Sequence, residues 1–185
     1  MPGPLDDIIR AIGRFDGAID ERVDRFRGHP HVDRLMYAAS ELGDFSLVWH
    51  LVNAGRGLAP DRRLIHAVRV AAILGVESAL VNGPVKSLFR RHRPAWEQAR
   101  PLRLRRPRTS SFPSGHASAA MTAAGVLSQR DPLWPLYYAI GAVVASSRVY
   151  VRIHHPSDVV AGAILGVVMA RVARRAWPFP SDGPE

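Results

Sequence analysis

Between Thr109 and Gln129 the chain carries no Asp, Glu, Lys or Arg. The same holds from Pro132 to Ser147, and Val159 to Ala170 is apolar throughout before running on toward Trp177. Three such stretches are hard to place in one soluble domain, because a helix that is apolar on every side must be covered on every side. Each is near or below the ~20 residues that span a bilayer, which leaves a soluble helical bundle open, but a membrane accounts for all three together. The mean hydropathy of -0.04 does not argue against this, since polar ends dilute the apolar middle. A length of 185 residues points to one domain.

Along the chain, Leu5, Ile8, Ile9, Ile12, Phe15, Ile19, Val23 and Phe26 recur at spacings of three and four, the pattern of an amphipathic helix ended by Gly28-His29-Pro30. Its polar face carries both signs, so it suits either a membrane interface or the surface of a soluble core. From about Leu35 to Asn53 comes a weaker apolar segment holding Glu41, Asp44 and His50, and Gly55 to Arg63 is a polar connection. Leu64 to Val85 is mostly apolar but contains Arg69 and Glu77, which in a membrane must face the bundle interior and be paired. For Glu77 a polar contact between helices is the simpler expectation than a catalytic role. The loop from Lys86 to Ser111 holds Arg90, Arg91, Arg93, Arg100, Arg103, Arg105, Arg106 and Arg108, plainly readable as a solvated basic loop.

Further helices are expected from Pro113 to about Gln129, from Leu133 to about Tyr150 and from Ser157 to about Trp177, with Asp131-Pro132 as a break. The tight turn at Arg130 to Pro132 makes two of them antiparallel neighbours, which puts His116 at the same end as Ser147 to His154. The fold expected is all-α, a membrane-embedded antiparallel helix bundle of about five spans with an N-terminal amphipathic helix. Residues 1–34 form the amphipathic or interfacial segment, 35–177 the transmembrane domain and 178–185 a disordered tail.

The net charge of +9 comes almost wholly from arginine, with Lys86 the sole lysine, and calls for anionic partners: nucleic acid, anionic lipid or phosphate esters. Nucleic acid fits poorly, because the arginines cluster in loops at helix ends beside apolar segments and not along a recognition helix or arm. The absence of cysteine removes disulfides and thiolate chemistry. Met-Pro-Gly-Pro-Leu-Asp-Asp lacks the basic start and apolar core of a secretory signal, so no cleavage is expected.

Ser147 to Asp158 concentrates the chemistry. Arg148 can clamp an anion, His154 is a candidate nucleophile, and Asp158 four residues on is a candidate orienting carboxylate. Pro156 suits the first turn of a helix, so His154 sits just before a helix start and Asp158 can reach back to one imidazole nitrogen. His155 is a rival to His154, disfavoured by its spacing to Arg148 and Asp158. Antiparallel threading brings Lys86 to Pro94, Pro113 to His116 and Ser147 to Asp158 to one end of the bundle. Lys86, Arg93 and Arg148 then offer positive charge from separate elements, and Ser114 and Gly115 offer backbone N–H groups at a helix start, together a phosphate site.

Lys86-x6-Arg93-Pro94, Pro113-Ser114-Gly115-His116 and Ser147-Arg148-x5-His154-x3-Asp158 are similar to the three-part signature of the type 2 phosphatidic acid phosphatase (PAP2) family, with all three parts complete. The family includes membrane lipid phosphatases, and its wider superfamily takes in soluble acid phosphatases and vanadium haloperoxidases. The resemblance implies that His154 attacks phosphorus to give a phosphohistidine, that Asp158 orients it, and that His116 protonates the leaving oxygen and later activates water. Lys86, Arg93, Arg148, Ser114 and Gly115 would hold the phosphoryl oxygens, with no metal and no cofactor required. The implied substrate is a lipid phosphate: undecaprenyl diphosphate, phosphatidic acid, phosphatidylglycerol phosphate or a decaprenyl-linked phosphoribose phosphate.

These features predict a multi-pass protein of the cell membrane. Most of the 25 lysines and arginines fall on the active-site side of a five-span threading, which favours the cytoplasm for that side. Two other readings compete: a non-catalytic arginine-rich membrane protein that binds anionic lipid, and a soluble acid phosphatase or haloperoxidase relative.

Overall fold

The structure is a computed structural model that describes residues 3–57, 63–95, 102, 104, 109–129 and 131–178. Seven α-helices and no strand occur among them: α1 (Pro4–Asp24), α2 (Pro30–Leu42), α3 (Leu47–Gly57), α4 (Arg63–Leu80), α5 (Gly115–Leu127), α6 (Trp134–Tyr150) and α7 (Pro156–Ala176). Arg100, Arg103, Arg105, Arg106 and Arg108 of the basic loop, and all but the first residue of the expected tail, lie outside the described residues.

α5 is the centre. Ala117, Ala120, Ala123, Ala124 and Val126 are all buried, and the helix packs chiefly on α6 and α7. Between α5 and α7 the backbones touch: a Cβ added to Gly162 would lie 2.3 Å from Ser114 O, and one on Gly166 would lie 2.2 Å from Ser118 O. In hydrocarbon there is little hydrophobic force between helices, so small residues that allow such contact supply the attraction. Thr122 Oγ1 adds a hydrogen bond to Gly166 O at 3.2 Å. These pairings rise together in residue number, so α5 and α7 run parallel; α6, reached through Asp131, runs antiparallel to both, with Gly141 against Ala120 and Met121. His116, Arg148 and His154 therefore share one end, as the threading predicts.

The outer faces have the opposite character. Val160, Ile164, Val168 and Val172 form an exposed i, i+4 stripe on α7, back to back with Gly162, Gly166 and Ala170. α4 exposes Leu64, Ile65, Val68, Val76 and Leu80. Leu64–Val85 and Pro156–Ala176 are each long and apolar enough to cross a membrane. A π-helical turn at Val81–Val85 carries Pro84, where the wider winding accommodates a ring that would strain a regular helix. Arg69 is buried and paired, donating to Trp177 O and Gln129 Oε1, both at 2.8 Å, at the end of the bundle remote from His154.

The segment expected from Leu35 to Asn53 is not one helix. α2 and α3 meet at a 3₁₀ turn over Asp44–Ser46, with Phe45 and Ser46 at φ 54 and 58, in the left-handed region that non-glycine residues rarely occupy. Gly43 explains the break: a Cβ there would stand 2.8 Å from the His116 ring and 2.9 Å from Val144, so the chain is drawn against α5 and α6 at this point.

α1 turns its apolar residues outward. Leu5, Ile8, Ile9, Ile12 and Phe15 are exposed, and the one buried residue of the helix is Asp16. Past its end, Arg27 donates to Tyr150 O (2.8 Å) and Val149 O (2.9 Å), a cation on the carbonyls that close α6. Tyr150 returns a hydrogen bond to Asp33 Oδ1 at 2.6 Å.

Candidate functional site

A cleft of about 370 Å³ opens where these helix ends meet, and Lys86, Gly115, His116 and His154 all line it. Each comes from a different element. Lys86 follows the π turn of α4 and is held by Asn82, whose Oδ1 accepts from Nζ at 2.9 Å. Gly115 opens α5 beside that pair, and a Cβ would lie 2.9 Å from Asn82 Oδ1 and 3.5 Å from Lys86 Nζ. A side chain there would displace Asn82, the residue that holds Lys86 at the helix start. Ser114 caps α5, its Oγ accepting from Ala117 N at 3.4 Å, while its own N–H donates to Asp158 O at 3.0 Å. The expected use of the Ser114 amide on an anion is thereby displaced; Gly115 and His116 supply the next amides of the first turn.

His154 is 2% exposed, and its backbone N–H donates to Arg148 O at 3.1 Å. Arg93 Nη1 lies 3.2 Å from its Nε2 and also donates to Ile153 O at 3.0 Å. A guanidinium can only donate, so Nε2 carries the lone pair and Nδ1 the proton. That proton faces Ser111 Oγ at 3.5 Å and Asp158 Oδ2 at 3.6 Å, a pair tied together by a short hydrogen bond from Ser111 to the carboxylate. Burial, with the charges of Arg93 and Arg148, pushes the imidazole down to about 3 despite Asp158, so the ring is neutral at physiological pH. Burial and the same two arginines lower the Lys86 ammonium to about 8.

Arg148 is 1% exposed and donates to Ser40 O at 3.2 Å and to Ser40 Oγ. His116 Nε2 lies 2.8 Å from Asp44 Oδ1, a partner delivered by the turn between α2 and α3. His155 caps α7; its ring faces His92 O at 3.3 Å, and its backbone N–H donates to Asp158 Oδ2 at 2.9 Å.

Several contributors escape a reading of the sequence. Arg91, counted there among solvated loop arginines, bonds Asp158 Oδ1 through Nη1 and Asp16 Oδ2 through Nη2, both at 2.6 Å. Asp16 Oδ1 also accepts from Ser157 N at 2.7 Å, so α1 is pinned to the first turn of α7. Asp44, Ser40 and Ser111 act likewise from outside the three motifs. The only local hint is that Arg91 sits two residues before Arg93.

A buried neutral imidazole whose lone pair meets a guanidinium, with a lysine and a second arginine near it at the end of an apolar helix bundle, fits a membrane phosphatase. The chain belongs to the PAP2 superfamily, whose family model matches residues 66–181. It is similar to the decaprenylphosphoryl-5-phosphoribose phosphatase of Mycolicibacterium smegmatis, 33% identical over 137 residues, 73% of either chain. The decaprenylphosphoryl-5-phosphoribose phosphatase of Mycobacterium tuberculosis is 36% identical over 134 residues, 72% of this chain and 73% of its own. The transmembrane PAP2 type phosphatidylglycerolphosphate phosphatase from Bacillus subtilis shares the fold, with a TM-score of 0.70 at 24% identity, covering 90% of this chain and 86% of that one.

Proposed function

We propose that this chain is a multi-pass, metal-independent lipid phosphatase that releases phosphate from a polyprenyl-linked phosphate, by way of a phosphohistidine. The observation that carries the reading is His154 in the wall of a cleft shared with Lys86 and His116, its Nε2 lone pair against Arg93 Nη1 at 3.2 Å, a cation that an incoming phosphoryl group would draw onto its own oxygens. His154 Nε2 attacks phosphorus, and the bond to the lipid alcohol oxygen breaks as that oxygen takes a proton from His116, which burial holds down to about 4 in the free protein and which the bound phosphate dianion would bring to its charged form. Water then yields a proton to His116 and attacks phosphorus, the N–P bond breaks, and inorganic phosphate leaves. Asp158 stabilises the charged imidazole, Asp44 does the same for His116, and Lys86, Arg93 and Arg148 with the first amides of α5 hold the phosphoryl oxygens. The two mycobacterial-type relatives favour a decaprenyl-linked phosphoribose phosphate over phosphatidic acid or a diphosphate.

The test is phosphate release by detergent-purified protein from a panel of these lipid phosphates. Activity is expected to persist in EDTA and to be inhibited by vanadate, which mimics the five-coordinate phosphoryl group. Loss on chelation with recovery on adding magnesium overturns the metal-independent mechanism.

Lys86 must be charged to hold an anion, so kcat/KM is expected to fall as pH rises through about 8, where its ammonium deprotonates. Bound phosphate dianion favours the charged form, so the limb in kcat lies at higher pH. Lys86→Arg is expected to remove the limb, since guanidinium stays charged. A basic limb that survives in that variant assigns it to another group.

Five spans with the active site at the cytoplasmic face fit the excess of arginine around the Lys86 to Ser111 loop. In this cysteine-free chain, Arg103→Cys and Gly57→Cys can be labelled in intact cells with a membrane-impermeant maleimide. Labelling at 57 alone is expected, and labelling at 103 alone reverses the orientation.

A further inference from the structure

Glu77 has no part in those steps, yet it lines the same cleft. It is 1% exposed; the Ser118 hydroxyl of α5 lies against the carboxyl group, and its Oε1 still lacks a hydrogen bond. A buried carboxylate oxygen without a donor is unfavourable, and the deficit is made good when a donor enters the cleft. Depth along α4 says what kind of donor. Asn82, which holds Lys86 Nζ, marks the phosphate end. Glu77 lies five residues before it, roughly 7.5 Å further into the bundle at the rise of an α-helix. Ser78 lines the cleft beside it, and across from them Ala119, one turn below His116, presents a single methyl. The wall is thus cationic where phosphorus reacts and acceptor-rich in the direction from which a lipid chain must come.

A phosphate seated against His154 therefore has the first part of its leaving alcohol beside Glu77. Hydroxyl groups there would donate to the carboxylate. The second phosphate of a diphosphate would instead bring negative charge against it in a setting with little screening. We propose that Glu77 is the hydroxyl-recognising group of a subsite, so that this chain takes a phosphate monoester of a hydroxyl-bearing alcohol, a sugar or a polyol, in preference to a diphosphate. The proposal rests on the phosphatase reading above and adds the chemistry of the leaving group to it.

The experiment compares kcat/KM of the full-length, detergent-purified protein on four synthetic substrates of equal tail length: decyl ribofuranoside 5-phosphate, its 2,3-dideoxy analogue, a decyl glyceryl ether phosphate and decyl diphosphate. Wild type is expected to prefer a hydroxyl-bearing substrate to the dideoxy analogue by about tenfold or more, the effect of a hydrogen bond gained by a buried acceptor that otherwise lacks one. In Glu77→Gln that ratio is expected to fall to about two, mainly through KM, while the ratio of diphosphate to dideoxy analogue rises several-fold. A Glu77-dependent preference for the ribofuranoside alone identifies a sugar site; one shared by the glyceryl ether identifies a polyol site. Wild type that does not discriminate between the ribofuranoside, the glyceryl ether and the dideoxy analogue overturns the proposal. So does a Glu77→Gln variant that loses the same factor on all four, the result if Glu77 merely balances Lys86. Release of phosphate from none of them removes the phosphatase reading itself, a failure distinct from hydrolysis without preference.

Discussion

His154→Ala is expected to lower turnover by on the order of 10⁵-fold and to abolish acid-labile phosphoenzyme, whereas His155→Ala should leave turnover within about threefold. Adjacent in sequence, the two imidazoles have different surroundings. His154 lines the cleft with its Nε2 lone pair against Arg93, and is backed by Ser111 and Asp158. His155 turns toward His92 O, and its link to Asp158 runs through its backbone N–H, which alanine retains. Rapid-quench labelling with a ³²P-phosphate monoester, with acid and alkali treatment of the trapped protein, reads both outcomes. Near-normal turnover in His154→Ala, with a dead His155→Ala, would move the nucleophile one residue along.

His116→Ala is expected to cost about 10³-fold on an alkyl phosphate but no more than about tenfold in the rate of phosphoenzyme formation from p-nitrophenyl phosphate. An alkoxide leaves slowly without a proton, and nitrophenolate leaves readily without one. Because the second step still needs a base to activate water, phosphoenzyme should accumulate with the good leaving group and be seen as a burst. In the proposed mechanism Asp44, 2.8 Å from His116 Nε2, stabilises the charged ring that donates this proton, so Asp44→Asn should follow the same leaving-group pattern with a smaller loss. Equal losses on both substrates would assign His116 to binding and not to proton transfer.

The legible parts of this molecule were those written in local pattern. Uncharged stretches marked α5, α6 and α7, and a short turn between α5 and α6 fixed which end gathers the motif residues. Arg69 shows the same logic: an ionisable group in an apolar helix had to be buried and paired, and it is. The break between α2 and α3 was not legible, because its cause is the contact of Gly43 with a ring 73 positions away. Phe45, 79% exposed and left-handed, carries no sign of that in its own neighbours. Arg91 was hidden for a related reason. Among so many loop arginines nothing local distinguishes it, and its role follows only from meeting Asp16 and Asp158, 75 and 67 residues away.

That meeting has an evolutionary side. An amphipathic helix with an exposed apolar face ordinarily tolerates exchanges that keep its hydrophobic balance. In α1 position 16 is not free in this way, because Asp16 shares Arg91 with the carboxylate behind His154. A descendant that loses the acid at position 16 leaves Arg91 with one anion where it had two, and tightens its hold on the group that must answer the charge on the histidine. Exchanges at positions 16 and 91 are therefore expected to be coupled, so that α1 carries one residue tied to the candidate site from outside its three motifs.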